Sequence, residues 1–145
     1  MTKTRFNFYA AVYLVMREGN NVLLIRRFNT GWMDGKYSLP AGHMEGNETS
    51  VIAMAREAKE EINIEILPED LFVVHTMHRN SGDREYFDIF FEAKKYSGEL
   101  KNNEENKCDE IGWFPIDNLP ENALDYIKEA LKKIREGQHF SSFGF

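Results

Sequence analysis

The chain has 145 residues, a formal net charge of −6, one cysteine, and 42% hydrophobic against 29% charged residues. This length and balance fit one globular domain, residues 1–145, with a real core. They argue against membrane-spanning helices, which need ~20 apolar residues in a row, and against duplex nucleic acid as a partner, which needs basic surface.

Tyr9 to Met16 reads as a buried strand and Asn21 to Arg26 as a second, with a hairpin turn at Arg17-Glu-Gly-Asn-Asn between them. Phe28 to Lys36 is a loop rich in turn residues, and Tyr37 to Gly42 is a short extended piece. Thr49 to Ile62 carries Val51, Ala55, Ala58 and Ile62 at helical spacing. Segments 72–78 and 86–93 read as paired strands around Asn80-Ser-Gly-Asp, and 110–115 as a further strand. A second helix is expected over Glu121 to Glu136, with Leu124, Ile127, Leu131 and Ile134 on one stripe. Strands, helix, strands, helix is the order of a mixed α/β sandwich. Cys108 has no disulfide partner, and Met1 to Phe6 lacks a signal-peptide core. A reducing, cytoplasmic location is expected.

On a wheel of about 100° per residue, Glu57, Glu60 and Glu61 leave the first helix together, opposite its apolar stripe. Alone, that face also fits a solvated charged surface, with Arg56 able to pair with Glu60. Clustered carboxylates equally suit a hard cation such as Mg²⁺ or Mn²⁺, which prefers oxygen ligands. The flanking residues favour the second reading. Gly42-His-Met-Glu-Gly-Asn-Glu48, then Thr49 to Ala55, then Arg56-Glu57-Ala58-Lys59-Glu60-Glu61-Ile62-Asn63-Ile64 resembles the Nudix box. Every charged position is present. Two positions depart: Asn63 replaces a closing glycine, and Ala58 stands at an aliphatic position. Asn tolerates a left-handed helix end, so Asn63 is expected to serve as the C-cap.

The resemblance implies a Nudix fold, a mixed β-sheet sandwiched between helices. It also implies a metal-dependent hydrolase that cleaves a pyrophosphate linkage in a small nucleotide. Glu57, Glu60, Glu61 and the Ala41 backbone carbonyl are the implied metal ligands. Glu57 or Glu60 is the expected general base, with Asp109 and Glu110 as later alternatives. Arg56 belongs to the catalytic set, chiefly by holding Glu48, itself a structural support. Arg27 is the expected phosphate contact. Arg26, its neighbour, is the second candidate for that contact; because strand side chains alternate, only one of the two is expected to point at substrate. Gly42 and His43 line the box loop, and Trp32 or Trp113 is a candidate wall for the base. His75 and His78 fall on opposite strand faces and are not expected to share a metal.

The proline that marks ADP-sugar hydrolases in the family and the tyrosine that marks dinucleoside polyphosphate hydrolases would fall near Arg79 and Asn80, so both are absent. The expected reaction is therefore the MutT-like conversion of a nucleoside triphosphate to monophosphate and pyrophosphate. An ADP-ribose-like hydrolase and a silent nucleotide sensor are the alternatives. The tail carries Phe140, Phe143 and Phe145. So much apolar area is expected to order, on its own domain or, slightly favoured, across a possible homodimer.

Overall fold

The computed structural model describes residues 3–145, so Met1 and Thr2, at the head of the segment read above for a signal peptide, lie outside it. Strands β1 (Tyr9–Val15), β2 (Arg17–Glu18), β3 (Asn21–Arg27), β4 (Tyr37–Ser38) and β5 (Ala41–His43) lead into helix α1 (Ser50–Ile62). Strands β6 (Leu71–Asn80), β7 (Glu85–Ala93) and β8 (Cys108–Pro115), helix α2 (Asp125–Arg135) and strand β9 (Phe140–Phe143) follow.

One sheet is mixed, in the order β5-β1-β7-β6-β9, with β1 parallel to β7 and β9 parallel to β6. A second joins β2, β3 and β4, with β8 antiparallel to β3. Both faces of β1 are buried. Ala11, Tyr13 and Val15 pack toward α2, while Val12, Leu14 and Met16 pack toward α1. That is why the strand reads as a continuous apolar run rather than an alternating one. The expected sheet between helices is the observed architecture.

Helix α1 begins where Thr49 caps it, its hydroxyl accepting from the Ile52 N–H at 3.2 Å. It ends at Asn63, which is left-handed at φ 64° and donates its N–H to Lys59 O. The buried stripe is Ala53, Met54, Ala58 and Ile62; Val51 and Ala55 lie at its partly covered margin. Helix α2 starts at Asp125, later than the expected Glu121. Asn122 O accepts from the Tyr37 N–H, and the Leu124 N–H donates to Tyr37 O, so this segment bridges β4 and cannot wind.

The tail is ordered, within its own protomer. β9 adds to the sheet edge beside β6, Phe143 packs on the α2-side core, and His75 bonds to Gln138 O and Ser141 Oγ at 2.7 Å each. Of the two expected placements this is the one on its own domain: the edge of β6 offers a backbone ladder close at hand. Phe140 and Phe145 stay 56% and 72% exposed, so only part of the aromatic area is covered. Among the described residues no helix is long and apolar enough to cross a membrane.

Candidate active site

The loop from β5 into α1 is organised by Arg56. Its Nε and Nη2 donate to Glu48 at 3.2 and 2.9 Å, and its Nη1 donates to Glu57 at 2.9 Å and Glu60 at 3.5 Å. Glu48 also accepts the Glu45 N–H, so one carboxylate ties the loop to the helix. Hydrogen bonding to Arg56, then to that N–H, holds its carboxyl below the usual range. One guanidinium therefore gathers Glu48, Glu57 and Glu60.

The carboxylates do not project as an exposed trio. Glu60 is exposed, but β5 crosses over Glu57 and Glu61. Gly42 makes that approach possible, since a Cβ there would overlap the Glu57 carboxyl. The helical wheel could not show this strand, under which the Glu57 side chain is only 13% exposed. Burial raises the Glu57 pKa, against the pull of Arg56. Glu61 reaches the cleft as a residue, but its carboxyl group is enclosed. Burial and then the Glu57 charge push its pKa well up. The Ala41 N–H donates to Glu61 Oε2 at 3.3 Å.

Two crowded, desolvated carboxylates with raised pKa values are short of positive charge, and a hard dication is the chemistry that suits them. Among the described residues no group of three or more His, Cys, Asp or Glu side chains is gathered as a metal site. Glu60 is turned toward Arg56 instead. The donor set fits a divalent cation through Glu57 and Glu61, with Glu60 free to join by exchanging its long contact to Arg56. Glu104 lines the same recess and adds to the repulsion at both. Sequence reasoning missed it, because it sits in an irregular loop with no periodic signal.

Arg26 and Arg27 part company as the alternation requires. Arg26 donates to both oxygens of Asp109, at 2.8 and 3.1 Å, and pairs with Glu110 at 3.3 Å. Glu110 also accepts from the Tyr37 hydroxyl at 2.6 Å. The bulge between Arg26 and Arg27 in the β3–β8 ladder puts Asp109 in reach. Asp109 and Glu110, the later alternatives for the base, are thus committed to Arg26 and Tyr37. Arg27 lies in a cleft of about 1010 Å³. It donates to Trp32 O at 2.8 Å and Thr30 Oγ1 at 2.9 Å, with its guanidinium 4.8 Å from the Trp32 ring.

That cleft also takes in Ala41, Gly42, His43, Glu61, Arg79, Tyr86, Asp125 and Tyr126. A smaller recess of about 450 Å³ holds Arg56, Glu57, Glu60 and Glu104. Ile25, Arg27, Glu61 and Lys107 line both. Lys36, Arg84 and Lys107 add cations to the large cleft, local positive charge within a chain of net −6. His43 lies among Tyr9, Tyr86 and the Arg84 and Arg79 cations; burial, then those cations, lower its pKa. Trp113 packs against the α1-side core rather than forming a wall, whereas Trp32 is 43% exposed at the cleft. His75 is buried under β9, and His78 stacks on Phe87 across the sheet. Cys108 is buried, its thiol donating to Glu110 O.

A NUDIX domain model matches residues 7–135. The chain belongs to the NUDIX domain family. It is 31% identical over 130 residues to an ADP-ribose pyrophosphatase of Methanocaldococcus jannaschii, covering 88% of this chain and 75% of that protein. It is 32% identical over 114 residues to an 8-oxo-dGDP phosphatase of Homo sapiens, covering 77% of this chain but 33% of that longer protein. A MutT NUDIX hydrolase from Burkholderia pseudomallei has the same fold, with a TM-score of 0.78 at 22% identity over 87% of this chain and 97% of that one. This NUDIX chain is thus a pyrophosphohydrolase, an enzyme acting on acid anhydrides. NUDIX hydrolases generally use divalent metal, and the carboxylate recess is the part of this one suited to it.

Proposed function

We propose that this NUDIX enzyme hydrolyses a nucleoside triphosphate to monophosphate and pyrophosphate, with Mg²⁺ or Mn²⁺ held by Glu57 and Glu61, joined by Glu60 and the Ala41 carbonyl. The observation that carries the reading is the shared wall between the two recesses. Arg27, Lys107 and Glu61 border both. A nucleoside in the large cleft can therefore lay its phosphates past two cations and onto the buried carboxylates. A divalent cation held there would neutralise phosphate oxygens and acidify a water.

This chain's residues supply the rest. Arg27 and Lys107 hold the phosphate chain, and Arg56 fixes Glu48 and Glu57. Trp32, stacked on Arg27, borders the base, while Gly42 and His43 line the floor. The water oxygen bonds to one phosphorus of the α–β linkage, the bridging P–O bond on that phosphorus breaks, and the proton passes to Glu57. The relative named as an ADP-ribose pyrophosphatase supports a second reading, in which the linkage lies between a nucleotide and a sugar phosphate.

A panel of nucleoside triphosphates, diphosphates and ADP-ribose, incubated with Mg²⁺ and resolved by chromatography, separates the two. Monophosphate plus pyrophosphate from triphosphates supports the first. ADP-ribose cleavage with triphosphates untouched supports the second.

A further inference from the structure

The floor of the large cleft holds an ion pair that the hydrolysis does not use. Arg79 is buried, and its Nε and Nη2 donate to Asp88 at 2.6 and 3.3 Å. Nη2 also donates to the Tyr13 hydroxyl at 3.4 Å, and that hydroxyl lies 3.0 Å from the Tyr126 hydroxyl. The guanidinium is sandwiched, its carbon 4.1 Å from the Tyr86 ring centre and 4.0 Å from that of Tyr126. Both planar faces and one edge are therefore taken.

What is left is the Nη1 edge. Among the described residues Nη1 donates to no protein atom. No buried side-chain nitrogen or oxygen there lacks a partner, so Nη1 opens onto the cleft that Arg79 lines. This edge carries N–H donors and no acceptor. Asp88 already neutralises the charge, so the edge suits a neutral acceptor better than a phosphate. Phosphates have Arg27 and Lys107. The two tyrosines hold the guanidinium still, so it cannot turn to accommodate a different pattern.

We propose that Arg79 is a specificity-determining residue: its fixed Nη1 edge selects a nucleobase presenting an oxo group, as guanine does, over adenine, which presents an amine at the same position. The inference rests on the large cleft taking the nucleoside, as in the function proposed above. An arginine donating to a base oxo group discriminates strongly, because the wrong base leaves a buried donor unmatched or faces it with another donor.

The test is calorimetric binding of two monophosphates to the full chain, so it does not depend on turnover. Guanosine monophosphate and 2-aminopurine riboside monophosphate share the 2-amino group, and only the first has the oxo group. Guanosine monophosphate is expected to bind at least about tenfold more tightly. Arg79→Lys, which keeps a cation beside Asp88, is expected to reduce that ratio to near one. The ¹⁵N side-chain resonances of Arg79 in the unaltered protein give a readout independent of that variant's folding; they should shift with guanosine monophosphate and not with its analogue. Equal binding of the two ligands, no binding of either, an unmoved Arg79 resonance, or a folded Arg79→Lys protein that keeps the ratio overturns the proposal. Selective binding without hydrolysis of any triphosphate would leave Arg79 as the base reader and remove the proposed reaction instead.

Discussion

Replacing Gly42 by alanine tests whether the contact between β5 and α1 builds the site. Gly42 is not among the glycines at positive φ, so the substitution carries no left-handed backbone penalty and acts through space alone. The added methyl would occupy the volume of the Glu57 Cγ, Cδ and Oε1. These atoms end a flexible side chain, which can swing aside at the loss of its 2.9 Å bond to Arg56. Overpacking of this kind costs about 1–3 kcal/mol. At roughly 2–4 °C per kcal/mol for a domain of this size, the melting temperature should fall by no more than about 12 °C. The effect on catalysis should be much larger. With Glu57 displaced, both the cation site and the proposed base are lost, so turnover should drop at least about 10²-fold. Steady-state pyrophosphate release across a Mg²⁺ titration, alongside a thermal melt, reads both. A folded Gly42→Ala protein with wild-type turnover and Mg²⁺ dependence would refute the reasoning.

Glu61→Gln should weaken Mn²⁺ binding strongly by paramagnetic relaxation while raising the melting temperature of the metal-free protein near neutral pH, since it removes the cost of burying an ionisable carboxyl; unchanged Mn²⁺ binding would misplace the site. The pH dependence follows in sign. Folded Glu57 and Glu61 have pKa values above the ordinary 4.5, so the folded state keeps their protons. Their contribution to metal-free stability is full below 4.5 and is lost as pH rises through the raised values. Metal binding needs the deprotonated pair, so affinity should climb over the same window with proton release, which calorimetry in buffers of different ionisation enthalpy detects. Arg27→Ala should raise KM more than Arg26→Ala, because Arg27 lies in the cleft and Arg26 is spent on Asp109; the reverse order would put the phosphates on the other face of β3. Deleting the residues after Gln138 removes the β9 ladder and the Ser141 partner of buried His75. Loss of that ladder and of the Ser141 hydrogen bond should lower the melting temperature, and an unchanged melt would show that β9 contributes little.

Much of this was legible before folding. The box pointed to the meeting of Arg56 with Glu48 and Glu57, because these lie within a few residues of one another along the helix and the loop that enters it. Asn63 was readable as a cap because few residues accept φ near 64°. Alternation in β3 separated Arg26 from Arg27. What escaped was everything that depends on a second element arriving. The wheel could not show β5 lying over Glu57. The apolar stripe of residues 121–136 could not show Tyr37 pulling residues 122–124 out of the helix. Arg79 and Asp88 stand on adjacent strands, and nothing in either segment marks them as partners. Lys107 and Glu104 reach the site from a loop whose path only the fold decides.

The most direct test of the account is pyrophosphate release from a nucleoside triphosphate by Glu57→Gln in saturating Mg²⁺, with the fold checked by circular dichroism. The account predicts a folded protein whose turnover is at least about 10²-fold below that of the unaltered enzyme. Near-normal turnover in a well-folded variant would contradict it and move the chemistry away from the carboxylates beneath Gly42.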